Sequence, residues 1–264
     1  MHPTPTAKII NARRLTAAKL LSLVCAIGLG GLCVIGIRMA PVKPDSLETL
    51  ARLRRNTPPG MVLVPAGAFI AGSNDADADD DVRPQRRESL PAYYMDLHEV
   101  TNREFQKFDR SRVIPAGEED LPANRITYAE AEAYARWAGK RIPMEFEWEK
   151  AARGTDGRRY PWGDVWDEKR VAPRRKKPGD LPMPGAAVKG KQCSAGPSRL
   201  QPVGSNPSGA SPYGCQDMAG NAWEWVQGYY NGNPQQRLLR GGAVGYGQRG
   251  CRTYQKAIEG EADT

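Results

Sequence analysis

Two carboxylates and several glycines stand close together in the segment 211–230, SPYGCQDMAGNAWEWVQGYY. Asp217 and Glu224 flank Gly220 and Ala222, and the glycine permits tight curvature of the backbone. Calcium takes about six to eight oxygen ligands, many of them backbone carbonyls. One side-chain oxygen, two carbonyls and a second carboxylate could converge here, so the spacing predicts that this segment folds around a calcium ion.

Histidine is too scarce for several kinds of catalytic centre. The chain contains only His2 and His98. A multi-histidine zinc or non-haem iron site is therefore excluded within this chain. A Ser-His-Asp triad would have to use His98, which we interpret instead as a packing residue at a strand end.

The cysteines allow either a disulfide or a reactive thiol. Of five cysteines, Cys193, Cys215 and Cys251 lie outside the apolar N-terminal segment. In an oxidising compartment a disulfide is allowed, and the sequence favours Cys193–Cys251 or Cys193–Cys215 over a free reactive thiol. A site for a soft metal would need two sulfurs.

Charged and glycine-rich runs point to surface loops. The net charge is +8, but the basic residues are scattered apart from 174–177, where no aromatic residues are interleaved, so no nucleic-acid partner is expected. The run NDADADDD (74–81) lacks the closing Glu of an EF-hand and is read as a solvated loop in preference to a cation site. RGGAVGYGQRG lacks the P-loop lysine, which argues against a nucleotide site.

The N-terminal region predicts a membrane anchor. Residues 20–37 form an uncharged stretch long enough to span a bilayer, and basic residues precede it. We expect 1–19 to be a cytoplasmic tail, 20–37 a transmembrane helix, 38–59 a linker and 60–264 a domain in the bacterial periplasm, anchored in the inner membrane. A cleaved signal peptide is the alternative, but its apolar region would be unusually long.

Capping patterns predict three helices in a loop-rich domain. Thr101 with Glu104, and Thr127 with Glu130, form capping boxes. A third helix is predicted in the segment 141–154, RIPMEFEWEKAARG, with Pro143 in its first turn. Short strands are expected in MVLVPAGAFIAGS (61–73) and at 200–203, 222–226, 237–240 and 250–254, and Trp223 and Trp225 are expected to pack on alternate sides.

Six motifs in order now identify a family resemblance: MVLVPAGAFIAGS, HEVTNREF, YAEAEAYARWAGKRIPMEFEWEKAARG, YPWG, PVGSNPSGASPYGCQDMAGNAWEW and RLLRGGA. The chain resembles the formylglycine-generating enzyme, or sulfatase-modifying factor, family. The resemblance implies an α+β, loop-rich, variant C-type-lectin-like fold. It also implies a calcium site formed by Asp217, the carbonyls of Gly220 and Ala222, and Glu224. A second family calcium site needs an Asn after PWG, which EKRVAPRRKK lacks, and is expected to be lost.

The resemblance also makes the redox centre doubtful. Family oxidases hold Cu(I) between two cysteines after the RGG motif; here the positions carry Tyr246 and Cys251. One thiolate and a phenol cannot form linear two-thiolate coordination. The sequence therefore favours a non-catalytic binding or accessory module with a protein or peptide partner. The alternatives are a copper-dependent oxidase of a sulfatase cysteine, with Cys251 catalytic, and a catalytic accessory to a metal-bearing partner.

Overall fold

The computed structural model describes residues 42–171 and 200–260. The chain forms a loop-rich α+β domain, as predicted. The helices are α1 (Leu47–Arg55), α2 (Asn102–Phe108), α3 (Tyr128–Trp137), α4 (Glu145–Arg153) and α5 (Gly247–Gly250). The strands are β1 (Met61–Val64), β2 (Gly67–Ala71), β3 (Arg86–Leu90), β4 (Tyr93–Asp96), β5 (Glu224–Tyr229), β6 (Gln236–Arg240) and β7 (Ala257–Gly260). Single 3-10 turns lie at Asp80–Val82, Glu168–Arg170, Pro207–Gly209 and Tyr230–Gly232.

The strands pair in three small antiparallel sheets. Strand β1 pairs with β4, β2 pairs with β3, and β5, β6 and β7 form a three-stranded sheet with β6 in the centre. The predicted turn between β1 and β2 is confirmed, but these strands do not pair with each other. Instead, the carbonyls of Pro65 and Gly67 accept hydrogen bonds from Lys150 on α4, at 2.6 and 3.0 Å. This holds the connection against the helix.

The three predicted helices are present, and both capping boxes are formed. The hydroxyl of Thr101 accepts from the backbone of Glu104, and that of Thr127 from the backbone of Glu130. Helix α4 begins at Glu145, so Pro143 lies just before the N-cap, Met144, and not in the first turn as predicted. The backbone N–H of Met144 donates to the Glu147 side chain at 2.8 Å. These local signals decide the helix ends because each satisfies backbone groups that the helix leaves unpaired.

Replacing Thr127 with alanine is expected to lower the free energy of unfolding by about 1 kcal/mol, the usual effect of removing an N-cap hydroxyl. The hydroxyl accepts the Glu130 backbone N–H at 3.2 Å, and the alanine variant leaves that donor without its cap. Urea unfolding measures the change. Glu132→Ala on the same helix is the control, because its ion pair with Arg136 is exposed and should contribute about 0.5 kcal/mol or less.

Strand β5 divides its side chains between two core clusters. Trp223, just before the strand, and Trp225 both pack with α3 in one cluster, so the expectation that they take alternate sides is wrong. Residues two apart on an extended chain face the same side. The opposite face carries Val226, which packs around Trp148 of α4, and Glu224, which hydrogen-bonds to that tryptophan.

Part of the segment expected to be a linker contacts the domain. Helix α1 buries Leu53, whose carbonyl accepts a hydrogen bond from the Tyr94 hydroxyl at 2.8 Å. The carboxylate of Asp45 accepts the backbone N–H of Ala66 at 2.8 Å. The predicted tail (1–19) and membrane span (20–37) lie outside the described residues. Within 42–171 and 200–260, no helix is long and apolar enough to cross a membrane.

Two of the predicted strands are wrong. Residues 200–203 form an irregular loop, and in 250–254 the first residue, Gly250, ends helix α5 while the rest form turns. Side-chain contacts explain both differences: the backbone of Gln201 pairs with the Asn221 side chain, and Arg252 pairs with Asp77. Strands β3 and β4 were not predicted. The sequence of β3, RRESL, does not alternate apolar and polar residues. All four residues of β4 are buried, so that strand does not alternate either.

Candidate functional site

The segment predicted to hold calcium is buried and strongly curved. Residues 217–226 are all buried. Asp217 and Asn221 have positive φ angles of 57° and 59°, and Gly220 lies between them at 87°. Positive φ is uncommon for residues other than glycine and costs of the order of 1–3 kcal/mol when the surroundings impose it. The chain therefore accepts strain here to turn its backbone inward.

Two of the predicted calcium ligands lie side by side. A methyl group at Gly241 would lie 3.7 Å from Glu224 Oε1 and 3.8 Å from the carbonyl oxygen of Ala222. Both oxygens therefore face the same glycine of the RGG motif. The second carboxylate oxygen of Glu224 accepts the indole N–H of Trp148 at 2.6 Å, which fixes the orientation of the side chain.

The other two predicted ligands are held by the neighbouring loops. Asp217 Oδ2 accepts the backbone N–H of Gly204 at 2.6 Å, and a carboxylate has a second oxygen for another interaction. Gly220 is fixed because its N–H donates to the carbonyl of Gly241 at 2.8 Å. Two carboxylates and two carbonyls form an all-oxygen donor set that suits Ca²⁺.

The described part of the chain contains no metal site made only of side chains. Among residues 42–171 and 200–260, no group of three or more His, Cys, Asp or Glu side chains is placed to hold a metal ion. The calcium set differs because half of its donors are backbone carbonyls. The assignment of Asp217, Gly220, Ala222 and Glu224 as ligands stays a prediction, and these residues would hold the ion as a structural element of the β5 segment.

Cys251 is a free thiol packed under the RGG motif. It is buried, and its Sγ would lie 3.2 Å from a methyl group placed at Gly242 and 3.9 Å from one at Gly220. A methyl group at Gly242 would also approach the carbonyl oxygen of Gly250 to 2.7 Å, so this position requires glycine. Burial raises the pKa of the Cys251 thiol to about 12. Both predicted disulfides include Cys193, which lies outside the described residues.

Tyr246 takes part in packing at the position where family oxidases have their first copper cysteine. Its ring contacts Trp223 edge to face, with 5.0 Å between ring centroids. A methyl group at Gly250 would lie 2.7 Å from Tyr246 Cβ, so the turn of α5 closes tightly against this side chain. Copper(I) in such sites needs two thiolates. One thiol and one phenol do not fit that requirement.

The sequence analysis predicted that the acidic run 74–81 is a solvated loop. In the structure it is instead tied to the rest of the domain by ion pairs. Every second residue from 75 to 79 is an aspartate that pairs with an arginine. Two of these three arginines lie on the segment around Cys251. Asp77 binds Arg252 at 2.7 Å, and Asp79 binds Arg249 at 2.6 Å. Asp75 pairs with Arg159 and accepts a hydrogen bond from the hydroxyl of Tyr254. We call these contacts the Asp clamp; it holds residues 249–254 and thereby Cys251.

The Asp clamp should weaken in acid. Hydrogen bonds from Arg252 hold the pKa of Asp77 below its usual value of 3.8, and the pKa of Asp75 is also lowered, since its bonds to Arg159 and Tyr254 outweigh partial burial. A carboxylate with a lowered folded-state pKa stabilises the fold above its unfolded pKa and loses that contribution as the pH falls through the folded value. We therefore expect Asp77→Asn to flatten the stability–pH curve below about pH 4.

Opening of the Asp clamp should also expose the buried thiol. We expect the double variant Asp77→Asn, Asp79→Asn to label at Cys251 about tenfold faster with a thiol reagent, which corresponds to about 1.4 kcal/mol easier local opening. Peptide mass spectrometry separates this label from that on Cys215. Equal labelling rates in the variant and the unmodified protein would mean that the clamp does not hold this segment.

The remaining chemical residues play smaller parts. His98 is half-buried, and its Nδ1 lies 3.0 Å from the Glu99 carbonyl oxygen, next to strand β4. Sequence reasoning missed Trp148 as the partner of Glu224 and Asn221 as the anchor of the 200–204 loop. For Trp148 the only local signal in the sequence was the periodicity of α4, and for Asn221 it was the neighbouring glycine.

Comparison with known proteins places this geometry in a family. Residues 47–263 match the family described as sulfatase-modifying factor enzyme 1-like domain. The chain is 29% identical over 236 residues to "Inactive C-alpha-formylglycine-generating enzyme 2" of Mus musculus, covering 69% of this chain and 73% of that protein. It is 28% identical over 231 residues to "Formylglycine-generating enzyme" of Bos taurus, covering 67% and 60%. The chain thus spans less than two thirds of the bovine protein.

A solved structure agrees in fold. PvdO from Pseudomonas aeruginosa superposes with a TM-score of 0.54 at 22% identity, covering 77% of this chain and 89% of that one. At this identity the similarity establishes the fold alone. The six ordered motifs, the packing of Gly242 in the RGG motif on Cys251 and the match over residues 47–263 agree. The chain therefore belongs to the sulfatase-modifying factor (formylglycine-generating enzyme-like) family and is a divergent member of it.

Proposed function

We propose that this protein is a membrane-anchored, periplasmic member of its family that acts as a non-catalytic binding or accessory module for a protein or peptide. In this proposal the C-type-lectin-like frame supplies a rigid scaffold, and calcium at Asp217, Gly220, Ala222 and Glu224 stabilises it. The observation that carries the proposal is the donor set at the expected copper position, where Cys251 faces Gly242 of the RGG motif and Tyr246 is engaged in packing.

The environment of Cys251 supports the absence of copper-dependent oxidation. The thiolate is the form of cysteine that binds metals and attacks substrates. Here the side chain is 2% exposed, and burial raises the pKa of its thiol to about 12, which disfavours a free thiolate that could attack a substrate. The other described cysteine, Cys215, packs in the core cluster around Trp148. Relatives named as active and as inactive match about equally well, so similarity does not decide the matter.

Two half-buried tryptophans next to the buried Tyr160, near the Asp clamp, suit a protein or peptide partner. Tyr160 stacks on Trp162 with 5.4 Å between ring centroids, and Trp166 packs against both rings. Val165 at the tip of this loop is 79% exposed. The indole N–H of Trp162 donates to the backbone carbonyl of Val165 at 2.9 Å. This hydrogen bond helps to fix the conformation of the loop. Aromatic side chains are enriched among residues that dominate binding at protein interfaces.

A peptide-oxidation assay tests the proposal. The purified protein is supplied with Cu(I) and a cysteine-containing sulfatase peptide, and aldehyde formation is followed by mass spectrometry, with a formylglycine-generating enzyme as the positive control. We expect no aldehyde above the protein-free background. Aldehyde that disappears in Cys251→Ser would establish the alternative, a copper-dependent oxidase, and overturn the accessory role.

Fractionation tests the proposed anchor. We expect the full-length chain to remain in the bacterial inner-membrane fraction after alkaline carbonate washing and to be released by detergent, as an apolar span of about 18 or more residues requires. A variant that begins at residue 42 should be soluble. Release of the full-length chain by carbonate alone would contradict a transmembrane anchor at 20–37.

A further inference from the structure

A cavity of about 290 Å³ lies on the side of α4 that faces the β1–β2 connection. Its apolar wall is formed by Pro65, Ala66, Ala68 and Pro212, and its polar groups come from the C-terminal end of α4 and the residues that follow. None of its lining residues belongs to the calcium set or to the surroundings of Cys251. Small-molecule sites are commonly apolar concavities of about 300 Å³ or more with a few placed polar groups, so this cavity suits a small ligand.

The polar floor of the cavity contains a buried ammonium group with a donor to spare. Lys150 is 1% exposed and also lines the cavity. Two of its N–H groups donate to the carbonyls of Pro65 and Gly67. An ammonium has three donors, and no third acceptor lies within hydrogen-bonding distance among the described residues. Burial lowers the pKa of Lys150 to about 8, although the charge of Asp45 opposes this shift.

Two hydroxyl groups line the same cavity. Tyr213 and Thr155 both contribute to its wall, and their hydroxyls have no hydrogen-bond acceptor within the part of the chain that the structure describes. Burial raises the pKa of Tyr213 to about 12, so its hydroxyl stays protonated and is available as a donor. Lys150 and Tyr213 thus each bring a donor with unused capacity to one small space, whereas Thr155 is exposed to solvent.

The other charges near the cavity are already paired. The guanidinium of Arg158 binds both carboxylate oxygens of Asp156 and also donates to the carbonyl of Pro161. The carboxylate of Asp45 accepts the backbone N–H of Ala66. Lys150 and Tyr213 offer unused donors to a ligand that supplies acceptors, and Arg158, which also lines the cavity, adds positive charge. An anionic acceptor would form the stronger, charge-assisted hydrogen bonds.

We propose that this cavity binds a small organic monocarboxylate, whose carboxylate accepts from Lys150 and Tyr213 and whose apolar part rests against the proline and alanine wall. The site is independent of the copper question, because its donors lie on α4 and the 212–213 loop. Its class of ligand follows from the donors present and the limited volume.

Benzoate is a suitable probe, and benzamide is its uncharged counterpart of nearly the same shape. Calorimetry or ligand-observed NMR on the full protein at about pH 6.5, where the amine is charged, would measure both. We expect benzoate to bind at least about tenfold more tightly than benzamide, as one charge-assisted hydrogen bond of about 1.5 kcal/mol or more predicts. Absence of benzoate binding, or equal binding of the two probes, would overturn the proposal.

Variants assign the binding to this cavity. Tyr213→Phe removes only the hydroxyl and should weaken benzoate binding about tenfold while the melting temperature stays nearly unchanged. Tyr229→Phe, on strand β5 and outside the cavity, should bind as the unmodified protein does. Lys150→Met should abolish binding, with a folded melting transition as its control. If Tyr213→Phe binds benzoate with unchanged affinity, benzoate binds elsewhere and the assignment to this cavity is wrong.

Discussion

Replacing Glu224 with alanine is expected to lower the melting temperature by at least several degrees. The side chain is fully buried, and its Oε2 accepts the indole N–H of Trp148, which is itself fully buried on α4. Removing the acceptor leaves that donor without its partner, at a cost of about 1–3 kcal/mol. Loss of the proposed calcium ligand should add a second contribution, because an ion that binds only the folded state stabilises it by about 2.7 kcal/mol at 100 times its Kd.

The two contributions can be separated with a chelator. The unmodified protein should melt several degrees lower in excess chelator than in calcium. Glu224→Gln keeps an acceptor for Trp148 and should lose most of this calcium dependence. Trp148→Phe should keep the dependence from a lower starting temperature. If the unmodified protein melts at the same temperature with calcium and with chelator, the calcium site is wrong.

Replacing Arg240 with alanine is expected to destabilise the domain by about 3–5 kcal/mol, the usual cost of removing one partner from a buried ion pair. Arg240 is completely buried on β6 and binds Glu145 at 2.7 Å and Glu149 at 3.1 Å, both on α4. It also donates to the carbonyl of Thr253, just beyond Cys251. Removing Arg240 leaves the buried carboxylate of Glu149 with one cationic partner fewer.

Denaturant unfolding measures this effect, and the chain offers a matched control. Arg136→Ala breaks an ion pair of the same type on the exposed face of α3 and should change stability by about 0.5 kcal/mol or less. If Arg240→Ala is as stable as Arg136→Ala, the ion pairs of Arg240 do not hold β6 to α4.

Local signals in the sequence predicted the helices and the position of the candidate site. The capping boxes at Thr101 and Thr127 act within a few residues, so they can be read without knowing the fold. The calcium prediction likewise depends on eight consecutive residues, and the structure adds that Glu224 and Ala222 face the same glycine.

The contacts that the sequence could not predict join distant parts of the chain. The Asp clamp links residues about 170 positions apart, from Asp77 to Arg252. In the sequence these residues look like ordinary surface charges, and only the fold shows that they pair. The same is true of β3, whose polar sequence RRESL becomes a strand because β2 pairs with it.

The account depends on the chemistry at Cys251, and the most direct test is the Cu(I) stoichiometry of the purified protein. Titration against a Cu(I)-specific chelating indicator compares the unmodified protein with Cys251→Ser and with Tyr246→Cys, which places a second thiol at the position of the missing donor. We predict that the unmodified protein and Cys251→Ser compete equally poorly for copper. One equivalent of tightly held Cu(I) in the unmodified protein, lost in Cys251→Ser, would contradict the account.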